Sequence, residues 1–334
     1  MLLFHSSRNT DFAKKISKAT HIPIGRTDFI TFGDSELKPH ILSDVRNQDV
    51  VIVTSTSIPV NENYMEFFLL VDALRRSACG RITAVMPYYG YARQNQQHLP
   101  GEPVSAMLMA KIIETVGVNE FVSIDLHEEQ ISGFFSIPVT HLTALPLLAQ
   151  AFGEHLLCSK TSYNTHTHHF DHKTIIRIHK THNIPVIVIS PDQGGIERTR
   201  KFRDALAKQF DELTVDEEIG IVEKSRSLIS IHQSKVVEIT GVIKGKIAVI
   251  PDDVIVSGKT IINAAKEAKE KGATQVYVAA THADFIKGTK GLLEKSDVER
   301  VFVTDTIGLP ESDQFKKLEI VSTIPLLKTY LKLL

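Results

Sequence analysis

Short apolar runs rich in β-branched residues alternate along the chain with segments of helical hydrophobic spacing. Residues 2–5, 49–54, 81–86, 120–125, 185–190, 219–223, 246–250, 275–281 and 301–304 read as strands. Residues 10–20, 61–77, 104–116, 195–209, 260–271 and 325–333 read as helices. Alternation at this spacing predicts βαβ units and parallel sheets, hence an α/β fold. Such sheets bind ligands beyond the carboxyl ends of their strands. Polar residues just after each strand therefore carry the most weight.

Residues 153–183 break the rhythm. They are polar, Thr- and His-rich, and lie between a helical stretch at 144–152 and the strand at 185. They read as an insertion near a domain boundary around residue 150. The length of 334 residues fits about two domains. Arg-Ile-Thr-Ala-Val-Met-Pro at 81–87 is echoed by Lys-Ile-Ala-Val-Ile-Pro at 246–251. A duplicated domain would produce that echo, and so would two generic buried strands.

Composition narrows the function classes. Apolar residues at 43% and charged residues at 23% exclude a disordered chain. A formal net charge of −1 leaves no general positive field for nucleic acid or an anionic membrane. Two cysteines cannot build a disulfide framework, which suits a reducing cytosol. The apolar start stops at His5, short of a signal-peptide core, and no apolar run approaches membrane-spanning length. A soluble cytoplasmic protein is expected.

Six constellations could carry chemistry. In the first, a strand from Lys246 leads to Asp252-Asp253, then Val256-Ser257-Gly258-Lys259-Thr260 opens a helix. Free N–H groups in a helix first turn suit a phosphate, and carboxylates suit sugar hydroxyls, so a ribose 5-phosphate moiety fits. A P-loop does not, because Asp253 stands where its first glycine belongs. The alternative is a plain helix cap. In the second, Ser190-Pro-Asp192-Gln193-Gly194-Gly195 precedes another helix, and Asp192 could contact a Mg²⁺. In the third, Asp125 and His127 fall two apart at a strand end, on one side of the strand by its period, and His127 could ligate a metal. The fourth, Pro87-Tyr-Tyr-Gly-Tyr-Ala-Arg93-Gln94, could stack on a base and grip phosphates, or form a packed aromatic loop. The fifth, Phe32-Gly-Asp34-Ser-Glu36, reads by itself as a turn. In the sixth, Lys224 and Arg226 follow a strand at alternate positions and could neutralise a transferring phosphoryl group. A solvated charge run is the bland reading of the same residues.

In this order the set resembles the ribose-phosphate pyrophosphokinase, or phosphoribosyl pyrophosphate synthetase, family. The resemblance runs from Leu2 to Thr306, interrupted mainly at 153–183. Its most specific stretches are Val71-Asp-Ala-Leu-Arg-Arg with residues 81–94, Asp125-Leu-His with residues 130–138, Ser190-Pro-Asp-Gln-Gly-Gly and Ala280-Thr-His. It implies two similar type I phosphoribosyltransferase-like domains facing one active site, with parallel sheets flanked by helices. They would be 1–150, joined by a C-terminal helix at 313–334, and 151–312, which holds the insertion. It implies transfer of the β,γ-diphosphoryl group of ATP to the anomeric hydroxyl of ribose 5-phosphate, releasing AMP, for nucleotide biosynthesis. By motif, Phe32, Asp34, Glu36, Arg93 and Gln94 match ATP-binding positions, and His127 and Asp192 match Mg²⁺ positions. Asp252, Asp253 and 256–260 match the ribose 5-phosphate site. Lys224 and Arg226 match a basic pair on a loop that closes over the phosphates. Dimer-based homo-oligomers, often hexamers, are also implied.

The chain departs from the family pattern in places. Val256 stands where Asp or Ser is common, and Lys259 where Gly is common. Asn95-Gln96-Gln97 replaces an Asp and a basic pair, and Ser225 and Ser35 replace Arg and Gly. These changes raise a second expectation, a non-catalytic regulatory paralogue that binds synthetase subunits. A phosphoribosyltransferase that consumes the diphosphate product is a third, opposed by the two-domain length and the Arg93-Gln94 motif. His166, His168, His169 and His172 lie close in sequence and could bind a transition metal, or simply belong to a surface loop.

Overall fold

The computed structural model describes residues 1–159, 183–225 and 236–334. The chain divides into two compact units. One comprises Met1–Ala144, Asp305–Leu309 and Ser322–Leu334, and the other Leu145–Thr304 and Pro310–Val321.

In the first unit, strands β1 (Leu2–His5), β4 (Val50–Val53), β5 (Ile82–Val85), β6 (Glu120–Ile124) and β7 (Val139–Leu142) form a parallel sheet in that order. Successive residues of a strand face opposite sides, and here both sides are covered. Phe4, Ile52, Ala84 and Phe121 pack with Phe67 and Leu70 of α2 (Val60–Arg76) and Ala106 and Ala110 of α3 (Ser105–Val116). Leu3, Val51, Val85 and Val122 pack with Phe12 and Ile16 of α1 (Thr10–Thr20) and Leu327 of the C-terminal helix Ile324–Leu331. Burial on both faces is why β4 reads as four consecutive apolar residues. An antiparallel hairpin, β2 (Thr27–Thr31) with β3 (Leu37–Ile41), lies on α2, with Phe29 and Ile41 packed against the core. Its other positions are largely exposed and polar, so no apolar run announces it.

The second unit carries a sheet in the order β11 (Val236–Ile239), β10 (Gly220–Ser225), β8 (Ile184–Ser190), β12 (Ile247–Ile255), β13 (Gln275–Ala283), β14 (Arg300–Thr304) and β15 (Leu318–Val321), with β9 (Leu213–Val215) also on β8. All pairings are parallel except that of β10 with β11. One face buries Val186, Val249, Tyr277 and Phe302 beneath α4 (Leu145–Ser159) and α5 (Ile196–Gln209). On β12, β13 and β11 lies α6 (Lys259–Glu270), an amphipathic helix that buries Ile261, Ala264 and Ala268. A short helix, α7 (Thr289–Lys295), packs beside it.

Three expectations need correction. The insertion expected from residue 153 begins later, because α4 continues to Ser159 and buries Phe152, Leu156 and Leu157. Gly153 lies against the Phe210 ring, where an added Cβ would come within 2.2 Å. The histidines 166, 168, 169 and 172 lie outside the described residues. The helix expected over 313–334 is instead β15 followed by the shorter helix Ile324–Leu331, because 318–321 pairs in register with β14. Strand β12 runs on to Ile255, so Asp252 and Asp253 sit inside a strand paired to β13 rather than after it.

Candidate functional site

In the second unit two of the constellations meet. The chain leaves β8 at Ser190, whose hydroxyl donates to the Asp192 carbonyl at 2.7 Å. Asp192 Oδ1 accepts the Gly195 N–H at 3.0 Å, which closes the Gly-Gly turn and starts α5. Three residues on, Arg198 reaches β12. Its Nη1 lies 3.3 Å from Asp252 Oδ1 and 3.2 Å from Asp253 Oδ1. All three side chains are largely buried, Asp253 at 5% exposure. Burial above all pushes the Asp252 carboxyl well above its usual range, and the neighbouring Asp253 charge pushes the same way, while Arg198 opposes both. Spacing along the chain does not single out Arg198. A signal was present, since a cation in a helix first turn opposes the helix dipole and needs a carboxylate or a ligand to balance it.

After Ile255 the chain turns through Val256, Ser257 and Gly258 into α6. Gly258 has φ +72°, a conformation that favours glycine. The first backbone bond there runs from Ile262 N–H to the Gly258 carbonyl, and Lys259 N–H makes a long 3.4 Å contact to Ser257 Oγ. Among the described residues the N–H groups of Ser257, Gly258, Thr260 and Ile261 have no acceptor. That is a cluster of free donors at the positive end of a helix, close in sequence to a carboxylate pair. Lys259 and Thr260 are exposed beside it. Lys259 forms no ion pair among the described residues, and the first turn of α6 holds no acid.

The first unit holds the other candidates in three places. Phe32, Asp34 and Glu36 form the tip of the β2–β3 hairpin, all exposed. Phe32 N–H donates to the Glu36 carbonyl at 2.9 Å, Asp34 Oδ1 accepts the Glu36 N–H at 3.1 Å, and Lys38 Nζ sits 5.4 Å from the Phe32 ring centre. Arg93 and Gln94 follow the aromatic loop after β5. Tyr88 and Tyr89 are buried, and Tyr89 Oη donates to the Ala106 carbonyl at 2.7 Å. Those two rings are thus packing elements and do not face a base. Gln94 Oε1 accepts the Ser105 hydroxyl at 2.7 Å, tying the loop to the start of α3, while Arg93 is exposed. No hydrogen bond or ion pair among the described residues joins this pair to the hairpin tip.

His127 is half-buried in the loop after β6. The alternation argument for it fails, because β6 ends at Ile124 and Asp125 takes φ +41°, which turns the chain. Asp125 instead braces the loop, accepting the Ala144 N–H at 2.9 Å, and His141 Nε2 accepts the Leu126 N–H at 2.9 Å. That bond requires His141 to be unprotonated at Nε2. Lys224 lies in β10, its main chain registered with Val237. Its side chain and the whole of Arg226 lie outside the described residues.

A family described as the N-terminal domain of ribose phosphate pyrophosphokinase matches residues 1–117, and the phosphoribosyl synthetase-associated domain matches 207–328. Ribose-phosphate pyrophosphokinase of Fusobacterium nucleatum is 37% identical over 320 residues, covering 96% of this chain and 90% of the relative. Ribose-phosphate pyrophosphokinase 1 of Streptococcus agalactiae is 37% identical over 325 residues, covering 97% and 91%. Among solved structures, phosphoribosylpyrophosphate synthetase from Mycobacterium smegmatis superposes with a TM-score of 0.83 at 30% identity, covering 99% of this chain and 97% of that one.

Proposed function

The chain belongs to the ribose-phosphate pyrophosphokinase family, and from that premise we propose how its own residues perform diphosphoryl transfer from ATP to ribose 5-phosphate. The anomeric hydroxyl oxygen attacks the β-phosphorus and gives up its proton to solvent, the bond from that phosphorus to the α,β-bridging oxygen breaks, and AMP leaves. The observation that carries the sugar-phosphate assignment is the cluster of free N–H groups at Ser257, Gly258, Thr260 and Ile261, a few residues after the Asp252–Asp253 pair. The donors suit a phosphate dianion, and the carboxylates suit the ribose hydroxyls. Arg198 offsets part of the repulsion between the two acids.

On the nucleotide side, the exposed Phe32 ring offers a face to the adenine, and Asp34 and Glu36 offer acceptors to its amino group or ribose. Arg93 is free to grip phosphate oxygens. Lys224 and Arg226 neutralise the charge that builds up during transfer.

Mg²⁺ fits the donors present. No cluster of three metal-ligating side chains occurs among the described residues, and a cation shared with nucleotide phosphates needs only one or two protein oxygens. Asp192, in the second unit, has Oδ2 left after Oδ1 takes the Gly195 N–H, so it can supply such an oxygen, and His127, in the first unit, is a separate candidate donor. Bound with ATP, the ion would offset charge on the phosphoryl oxygens. The protein is further read as a cytoplasmic homo-oligomer. No helix among the described residues is long and apolar enough to cross a membrane.

The regulatory paralogue is not favoured, because relatives named for the activity align over nearly the whole chain and all the charged candidates are present. Purified protein incubated with ATP, Mg²⁺ and ribose 5-phosphate should release AMP in step with 5-phosphoribosyl 1-diphosphate. No AMP above background at any phosphate level would sink the catalytic reading.

A further inference from the structure

The residue that opens the sugar-phosphate loop, Val256, has only an aliphatic side chain, so at this position only the main chain can make a polar contact. The Val256 carbonyl accepts two donors from the turn before α7, the Ile286 N–H at 3.2 Å and the Thr289 hydroxyl at 2.6 Å. A carbonyl has two acceptor lone pairs, and both are engaged here. Thr289 is 1% exposed, so water does not replace its hydroxyl. The same turn packs under the loop. A Cβ added to Gly258 would meet Leu293 at 3.4 Å and the Thr289 methyl at 3.6 Å. The segment 286–293 thus clasps the loop at its first carbonyl and beneath its positive-φ glycine, yet contributes none of the proposed substrate contacts.

We propose that Thr289 is a positioning residue for ribose 5-phosphate: its hydroxyl, through the Val256 carbonyl, holds the loop in the shape that leaves the N–H groups of 257–261 free for the phosphate. This rests on the ribose 5-phosphate reading of that loop. Without the hydroxyl, the Val256 carbonyl loses a partner and the loop gains alternatives in which those N–H groups are dispersed or satisfied internally. Affinity for the sugar phosphate falls, while the nucleotide residues, all outside this segment, are untouched.

Two variants test it. Thr289→Val keeps the shape and removes the hydroxyl, and Thr289→Ser keeps the hydroxyl and removes the methyl. Thr289→Val should raise KM for ribose 5-phosphate about three- to tenfold, the factor expected for one net hydrogen bond. KM for ATP and kcat should stay close to the parent values, and Thr289→Ser should restore KM. Hydrogen exchange should be faster in Thr289→Val for the amides of 257–262 and return to parent rates in Thr289→Ser. If Thr289→Val does not fold, Thr289→Ala is read by the same criteria. An unchanged KM for ribose 5-phosphate with unchanged exchange overturns the inference while leaving the catalytic reading intact. A loss of activity that raises both KM values and that Thr289→Ser does not restore also overturns it. Absence of AMP formation by the parent protein overturns the catalytic reading instead, and the exchange comparison still decides whether the clasp holds the loop.

Discussion

Arg198 Nη1 lies 3.2 Å from Asp253 Oδ1, and the same nitrogen lies 3.3 Å from Asp252, so one guanidinium from the start of α5 bridges neighbouring acids of β12. This contact joins the Asp192–Gly195 turn to the carboxylate pair.

Arg198→Met should therefore change the pH profile. Burial and the Asp253 charge already hold the Asp252 carboxyl high, and removing the opposing cation moves it higher still. The acid limb of kcat/KM for ribose 5-phosphate should shift up by about one pH unit or more. The stability sign follows from the same shift. A carboxyl raised in the folded state loses stabilisation as pH rises from its unfolded value, about 4, through its folded value. The variant's melting temperature should fall with rising pH over a wider interval than the parent's. An unmoved acid limb would show that other groups neutralise the pair.

Lys224→Ala should lower kcat by about 10²- to 10³-fold with little change in either KM, as expected for a cation that acts where charge develops. A large KM rise at constant kcat, measured by steady-state kinetics, would remove it from that role.

Lys259→Gln tests the exposed cation at the first turn of α6. A lysine there opposes the helix dipole, so its removal should raise the melting temperature slightly. If the lysine grips the 5-phosphate, KM for ribose 5-phosphate should rise about two- to fivefold at low ionic strength, with the difference shrinking as salt is added. A salt-independent KM equal to the parent's would place the side chain away from the ligand.

Gly153→Ala inverts the usual rule for helices. In an exposed helix that change stabilises by about 1 kcal/mol. Here the added Cβ would come within 2.2 Å of the buried Phe210 ring, so overpacking should destabilise by about 1–3 kcal/mol. Urea unfolding measures the sign directly, and a gain in stability would mean that the α4 contact is soft.

Several elements were legible in the sequence because burial on both faces writes itself as apolar runs. The apolar pattern over residues 2–5 and 10–20 has the same bounds as β1 and α1 in the structure. The β2–β3 hairpin and the edge strands β7, β9, β11 and β15 were not read. No position of β2, β3, β7 or β15 is fully buried and β9 has only three residues, so little periodicity survives. Chemistry followed the same division. The residue types at Asp252, Asp253 and 256–260 point to a sugar phosphate because acids, glycine and a helix start are adjacent in the chain.

The sequence by itself determined the alternation of strand and helix and the family pattern, and it supplied the candidate residues for phosphate, sugar and cation, all of which are matters of local order. Only the tertiary structure decided that Arg198 sits between the two acids and that Thr289 holds Val256. Those partners lie 54 and 33 residues apart in the chain and meet because parallel strands bring their carboxyl ends to one edge of the sheet. It also decided that Asp125 turns away from the strand and that Tyr88 and Tyr89 face the core, since side-chain direction depends on backbone angles and packing that no spacing rule encodes.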